Sequence, residues 1–463
     1  MTQKTLPLRR GFLCLSKCNI CDYSWVRKTM SLASIYRTIF LFCLILSGSG
    51  MALASEQRNL STGNGDEFSF EVFSPARQHD NQQLQLRILW VAPSFGIDPR
   101  IRQTAQALSQ QGVEVWLIDL ADALFLPRSA STLRGIPSKT VAGIIDAISQ
   151  QGADNTDLLV VSSSYGAIPA LRGIRAWQQQ QTRRAKLIGA VLFSPSFFTH
   201  VPELGVEPSF IAELAATNSP VYIFQSARNG NRWHLPAVLK ALKNAPVYSE
   251  ILRDVVSVFY TRDTAPATMK AFAEAPQMIL RAARMLRRHP MPTTVLAVND
   301  SSATTPGSGI NTRLHPYRGS VVPSAIRSRD AKGKAFTIDN YKGYVTLINF
   351  WASWCPPCVK EIPSLNRLMD KMRGKPFRLI SVNYAETPET IHAFLAKVNV
   401  DFPVLVDRDG RITRRWKVVA FPSTFVIGPD GRIHYGVNAG IHWDTEEVEQ
   451  QLNLLLPTGQ DNY

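Results

Sequence analysis

Nothing in this chain restricts its folding options as tightly as Trp354-Cys355-Pro356-Pro357-Cys358. The stretch follows an apolar run, Val345-Thr346-Leu347-Ile348-Asn349-Phe350-Trp351, which reads as a buried strand. It precedes a helix-like segment from Val359 to about Met372. A Cys-x-x-Cys at a strand-to-helix junction is a redox motif. The unpaired N–H groups and positive dipole end of the helix stabilise a thiolate on the first sulfur. The second cysteine lies about one helical turn on, within reach of a Cys355–Cys358 disulfide. Proline costs little at the first helical positions, where the N–H has no partner to lose.

The other cysteines sharpen this reading. Of six in the chain, Cys14, Cys18, Cys21 and Cys43 fall in the first 54 residues. Arg27, Lys28 and Arg37 form a basic region, Ile39 to Leu46 a short apolar core, and Ala52-Leu53-Ala54 a small-x-small cleavage site before Ser55. This is the layout of a secretory signal. The apolar core is well short of the roughly 20 residues that span a bilayer, so cleavage is favoured over an uncleaved membrane anchor. The expected location is the periplasm or another extracytoplasmic space. Residues before Met30 read as an extension ahead of the signal. Their C-x3-C-x2-C spacing can ligate an iron–sulfur cluster, but the signal would take it away. Cys355 and Cys358 then remain as a pair, which suits exchange better than a structural framework. Zinc normally needs four ligands, and His392, His434 and His442 are scattered. No metal or other cofactor is expected.

Length and charge set the wider frame. A chain of 463 residues implies about two to four domains. The formal charge is +15; the first 54 residues hold seven Lys/Arg and one acidic residue, leaving +9 for the rest. That modest excess suits transient contact with lipid headgroups or anionic partners. No basic block of the kind a nucleic-acid arm shows is present, so nucleic acid is not an expected partner.

The fold class is α/β. Residues 55–84 are polar and read as a loose lead-in with one short strand at Phe68–Phe73. Over residues 85–288, strand-like runs (Leu86–Val91, Val113–Leu120, Leu158–Ser162, Leu187–Phe193, Val221–Phe224, Val256–Tyr260) alternate with helix-like stretches (Arg100–Gln111, Lys139–Gln151, Ala167–Gln180, Leu235–Lys243). This predicts a doubly wound parallel sheet, with Gly112 and Gly152 as helix stops. Residues 289–319 read as a linker, centred on the polar run Asn299 to Gly309. Residues 320–457 read as a second domain: strands at Ala335–Ile338, Val345–Phe350, Phe377–Asn383 and Phe402–Leu405, helices at Cys358–Met372, Pro388–Val398 and near Ile412–Trp416, a hairpin of Ser423–Ile427 with Ile433–Asn438 turned by Asp430-Gly431, and a closing helix at Asp444–Leu456.

This second domain resembles the thioredoxin-like reductases of the TlpA/ResA type. The resemblance rests on Leu347 through Pro363, on Ala420-Phe421-Pro422-Ser423-Thr424-Phe425-Val426-Ile427 and on Asp430-Gly431, three motifs in the family's order. It implies a thioredoxin fold and an exposed attacking thiol at Cys355, with Cys358 resolving. It also implies a cis-proline at Pro422 that presents backbone to a substrate, and an acid at Glu361 that relays a proton. Trp354 and Phe421 would form contact surface beside the pair. Two alternatives stay open: Trp354 as a plain surface or core aromatic, and Glu361 as a solvated first-turn carboxylate. The partners implied are disulfide-containing client proteins, apocytochromes among them, and a membrane thiol carrier as electron donor.

The first domain resembles an α/β hydrolase more distantly. Ser162-Ser163-Ser164-Tyr165-Gly166 falls between a strand and a helix, which puts Ser164 in the nucleophile slot of G-x-S-x-G. A triad also needs an acid and a histidine on late loops. The loop after Phe224 offers Asn229 and Asn231 where an aspartate is needed. Thr261-Arg262-Asp263 lacks the histidine, and His234 and His289 are poorly placed. The leading function is therefore an exported thiol:disulfide oxidoreductase that reduces client disulfides. The alternatives are a serine hydrolase with an auxiliary redox domain, and an assembly factor whose first domain binds a client.

Overall fold

A computed structural model of the chain describes residues 55–75, 85–151, 156–180, 186–260, 262–298 and 313–457. The signal with its Ala54 cleavage site, the early cysteines, Gly152 and the Asn299–Gly309 run lie outside the described residues. No helix among the described residues is long and apolar enough to cross a membrane.

Alternating apolar runs build the first sheet. Its strands are β1 (Glu56–Ser61), β2 (Glu67–Phe73), β3 (Leu86–Val91), β4 (Glu114–Ile118), β5 (Asp157–Ser163), β6 (Lys186–Phe193), β7 (Val221–Ser226) and β8 (Val247–Leu252). They lie in the order β1-β2-β4-β3-β5-β6-β7-β8. β3 through β8 pair in parallel, and β2 runs antiparallel to both β1 and β4. β3 and β5 are buried along their whole length, as a strand covered on both faces must be. One face packs on the helices Ser138–Ser149, Ala167–Gln178 and Leu235–Ala241, the other on Pro99–Ser109 and Pro266–Leu286.

Three sequence expectations change here. Residues 55–84 are not only a lead-in: β1 and β2 form a hairpin whose apolar Phe68, Phe70 and Val72 join the core while its polar side faces solvent. The last strand is Val247–Leu252, not Val256–Tyr260. As an edge strand it carries Ser249 and Glu250, which hide it from a search for apolar runs. Val255, Val256, Val258 and Phe259 are buried as a loop, with the Phe259 ring edge-on to Trp90 at 5.1 Å and to Phe193 at 4.8 Å. A short apolar run cannot by itself tell a buried loop from a buried strand. The helix Pro266–Leu286, unmarked in the sequence reading, continues across Pro276 and buries Ala271, Ala275, Met278, Ile279, Ala282, Ala283 and Leu286 at helical spacing.

The second sheet comprises β9 (His315–Pro316), β12 (Val345–Trp351), β13 (Phe377–Tyr384), β14 (Val404–Asp407), β15 (Ser423–Ile427) and β16 (Ile433–Val437), in the order β14-β13-β12-β15-β16-β9. β12, β13 and β14 are parallel, and the remaining pairs are antiparallel. β10 (Ile326–Arg329) and β11 (Ala335–Ile338) form a separate hairpin. This is the thioredoxin arrangement the sequence led us to expect. The expected linker is only partly a linker. Thr294 O accepts from Asn218 on the first domain, and Leu314 is buried in the second.

The two domains pack as one unit. Leu204, on a first-domain loop, is buried among Ile326, Ile348, Phe425 and other second-domain residues. Asn438 Nδ2 donates to Pro202 O at 3.1 Å, Tyr384 Oη donates to Asn229 O at 3.3 Å, and Lys417 pairs with Glu207 at 3.5 Å. The guanidinium of Arg414 lies 4.7 Å from the ring centre of Trp233.

Candidate active site

The redox pair sits where β12 ends and the helix Pro356–Lys371 begins. Cys355 is the residue that caps this helix, in extended conformation, and Pro356 and Pro357 occupy its first turn. Cys358 N donates to Cys355 Sγ at 3.3 Å, so the helix end aims a backbone donor at the first sulfur. The two sulfurs are joined as a disulfide. Phe421-Pro422 is cis, and Pro422 is buried.

The expected exposure of Cys355 is not found. Cys355 is 4% exposed and Cys358 is fully buried. They are packed with Trp351, Ala352, Ile362 and the partly buried Trp354 and Phe421. Trp354 stands edge-on to Phe421 at 5.9 Å, and Phe421 stacks on Tyr384 at 4.8 Å. Trp351 belongs to the core against Phe394.

Glu361 is buried, not solvated. It accepts from Asn349 Nδ2 at 2.8 Å and from Trp443 Nε1 at 3.2 Å. Burial raises its carboxyl to about 7, and hydrogen bonds from Asn349, Trp443 and the Ile441 backbone pull the other way. A carboxyl with that affinity, one turn past Cys358, is suited to exchange a proton near neutral pH. Asn349, which no sequence signal marks as a site residue, orients Glu361 and also donates to Thr424. Glu386 was missed altogether. It is buried and accepts from the Ser353 backbone N at 2.7 Å, the Ser353 hydroxyl and Asn383 Nδ2, which fixes the loop leading into the cysteines. No local pattern announces it, because Ser353, which supplies two of its three donors, lies on a distant segment. His392 contacts the Ala331 carbonyl and His434 pairs with Asp430, each engaged away from the sulfurs.

Ser164 lies in the first domain at the turn between β5 and the helix Ala167–Gln178. Its φ is +51°, the strained geometry of a nucleophile elbow. A Cβ on Gly166 would come within 2.4 Å of Ser162 Oγ and 2.7 Å of Ala92 O, so the turn requires glycine there. The Ser162 hydroxyl is used up on Val91 O. No histidine or carboxylate among the described residues hydrogen-bonds Ser164. Asn231 braces Ser194, Pro195 and Ser196, and Asn229 accepts from Asn231 N. His234 packs on Phe198 and Phe210, and its basicity is lowered by burial. His289 bonds Tyr248. Asp263 accepts from Ala265 N and Thr268 Oγ1 at the start of a helix. The triad is not assembled. Instead, Ser164 shares a cleft of about 220 Å³ with Ser163, Asn229 and Tyr260, and with Trp354 and Phe421 of the second domain.

Residues 319–436 match the AhpC/TSA family model. The thiol-disulfide oxidoreductase ResA of Bacillus subtilis (strain 168) is 31% identical over 140 residues, which cover 30% of this chain and 76% of that protein. ResA of Bacillus thuringiensis subsp. konkukian is 30% identical over 128 residues, 28% of this chain and 73% of that one. The chain belongs to the ResA family of thiol-disulfide oxidoreductases. Among solved structures, StoA from Bacillus subtilis is 25% identical and covers 29% of this chain and 97% of its own, with a TM-score of 0.25. A thioredoxin-family thiol:disulfide interchange protein from Chlorobium tepidum is 21% identical and covers 30% and 99%, with a TM-score of 0.26. Membership of this family supports a thioredoxin-like thiol-disulfide oxidoreductase activity.

Proposed function

We propose that this ResA-type chain is an exported reductase of client disulfides, with Cys355 as nucleophile and Cys358 as resolving thiol. In the reduced enzyme, the Cys355 thiolate attacks one sulfur of a client disulfide. A mixed disulfide forms and the other client sulfur leaves as a thiol, taking up a proton. Cys358 passes its proton to the Glu361 carboxylate and attacks Cys355 Sγ, releasing the second client thiol. The Cys355–Cys358 disulfide remains, and two electrons have moved to the client. An external dithiol carrier, a membrane thiol donor in this reading, restores the reduced pair.

The observation that carries the reading is the Cys355–Cys358 disulfide at the mouth of a helix with the buried Glu361 one turn beyond. The basic, apolar and small-residue segments before Ser55 support export; cell fractionation tests that point separately. Cys358→Ala leaves Cys355 without its resolving thiol, so it should accumulate reducible mixed disulfides with clients. Absence of any dithiothreitol-sensitive adduct contradicts the reading. The first domain serves as a binding scaffold in this account, because Ser164 has neither base nor acid beside it. Robust ester hydrolysis that Ser164→Ala abolishes contradicts that part.

A further inference from the structure

The redox pair lies at an edge shared by two domains. The first-domain loop after β7 runs across the Trp354 and Phe421 side of the second domain. Gly230 sits so close to Val419 O that a Cβ would be only 2.8 Å from it, and Asn229 O holds the Tyr384 hydroxyl. This loop covers ground on which a folded client could otherwise rest. What stays open beside Trp354 is the 220 Å³ cleft, smaller than the roughly 300–1,000 Å³ of drug-sized sites.

Its lining is uncharged. The first domain contributes hydroxyls and an amide, from Ser163, Ser164, Ser194 and Asn229, and the second contributes the Trp354 and Phe421 rings. Tyr260 stays neutral because burial raises its phenol. The Ser163 hydroxyl is buried and has no hydrogen-bond partner, an unfavourable state that a ligand carbonyl or amide can relieve. A charged group entering here meets no charged side chain in the lining and is disfavoured.

The geometry points to a composite substrate site, in which the hydrolase-like domain forms one wall and Trp354 and Phe421 the other. It takes a disulfide carried on a narrow, uncharged peptide segment with an apolar side chain beside the cysteine. This rests on the reductase reading above and adds the class of segment presented. The first domain thus selects which disulfides reach Cys355, and the elbow at Ser164 serves as a hydrogen-bonding wall in place of a nucleophile.

The test uses residues 55–463, which form one compact unit and carry only Cys355 and Cys358, reduced with dithiothreitol and desalted, in single-turnover reaction with two symmetric disulfide peptide dimers. One peptide has phenylalanine and alanine beside its cysteine, the other glutamate at both places. Each turnover consumes one enzyme dithiol and one peptide disulfide and yields two peptide thiols. The site predicts at least tenfold faster reduction of the neutral dimer. Ser164→Phe and, independently, Ser257→Phe narrow the cleft from different loops, and each should slow the neutral dimer about tenfold without moving the potential of the pair. Asn229→Asp should shift preference toward a lysine-flanked dimer. Equal rates for both dimers with the wild type, together with unchanged rates in all three variants, overturn the composite site. Failure of the wild type to reduce any dimer overturns the reductase reading instead.

Discussion

At the scale of single residues, Glu361 does the most to connect structure with chemistry. Its carboxyl binds a proton up to about pH 7 in the fold, against 4.5 ordinarily. Between those values the folded chain holds a proton that the unfolded chain has released. The stability this proton supplies is therefore full below about pH 4.5 and is lost as pH rises through about 7, on the order of 3 kcal/mol in all. Glu361→Gln should flatten that loss, as read by urea unfolding between pH 4 and 8. A slope equal to wild type contradicts the assignment. The same substitution removes the proton acceptor for Cys358. The rate of mixed-disulfide resolution should then lose its inflection near pH 7 and fall about 10²-fold or more, the usual contribution of a positioned acid–base group.

At the scale of elements, the loop between β12 and the cysteines depends on a residue from elsewhere. Glu386 takes three donors from Ser353 and Asn383. Glu386→Ala leaves them unpaired in the interior and should cost about 2–3 kcal/mol in unfolding free energy while slowing thiol exchange. Unchanged values of both would show that the loop is held some other way. Elements of this kind mark the boundary of what the sequence discloses. The strand Val345–Trp351, the capped helix after it and the Asp430-Gly431 hairpin were legible because local pattern and burial agree. The edge strand Val247–Leu252 and the loop Val255–Phe259 were interchanged because burial there is decided by packing across the sheet, which periodicity does not encode. Glu361 was legible as a site residue but not as a buried one, since the indole of Trp443 and the amide of Asn349 reach it from distant segments.

At the scale of the whole molecule, the docking of the domains was not legible at all. No motif marks Leu204, Asn229 or Trp233 as interface residues, yet they place the elbow of one domain beside the redox loop of the other. Leu204→Glu puts a charge into that interface and should loosen it. With the pair reduced, alkylation of Cys355 by a bulky maleimide should then accelerate at least tenfold. An unchanged rate would mean that the first domain does not govern access. The claim beneath all of this is that Cys355 and Cys358 form one reversible two-electron couple poised for reduction. Equilibrating residues 55–463 with dithiothreitol buffers of graded ratio, and counting free thiols by mass after trapping, measures that couple directly. The account predicts a single two-electron transition more reducing than about −200 mV; a pair that does not titrate, or one poised near −120 mV as in strong oxidants, contradicts it.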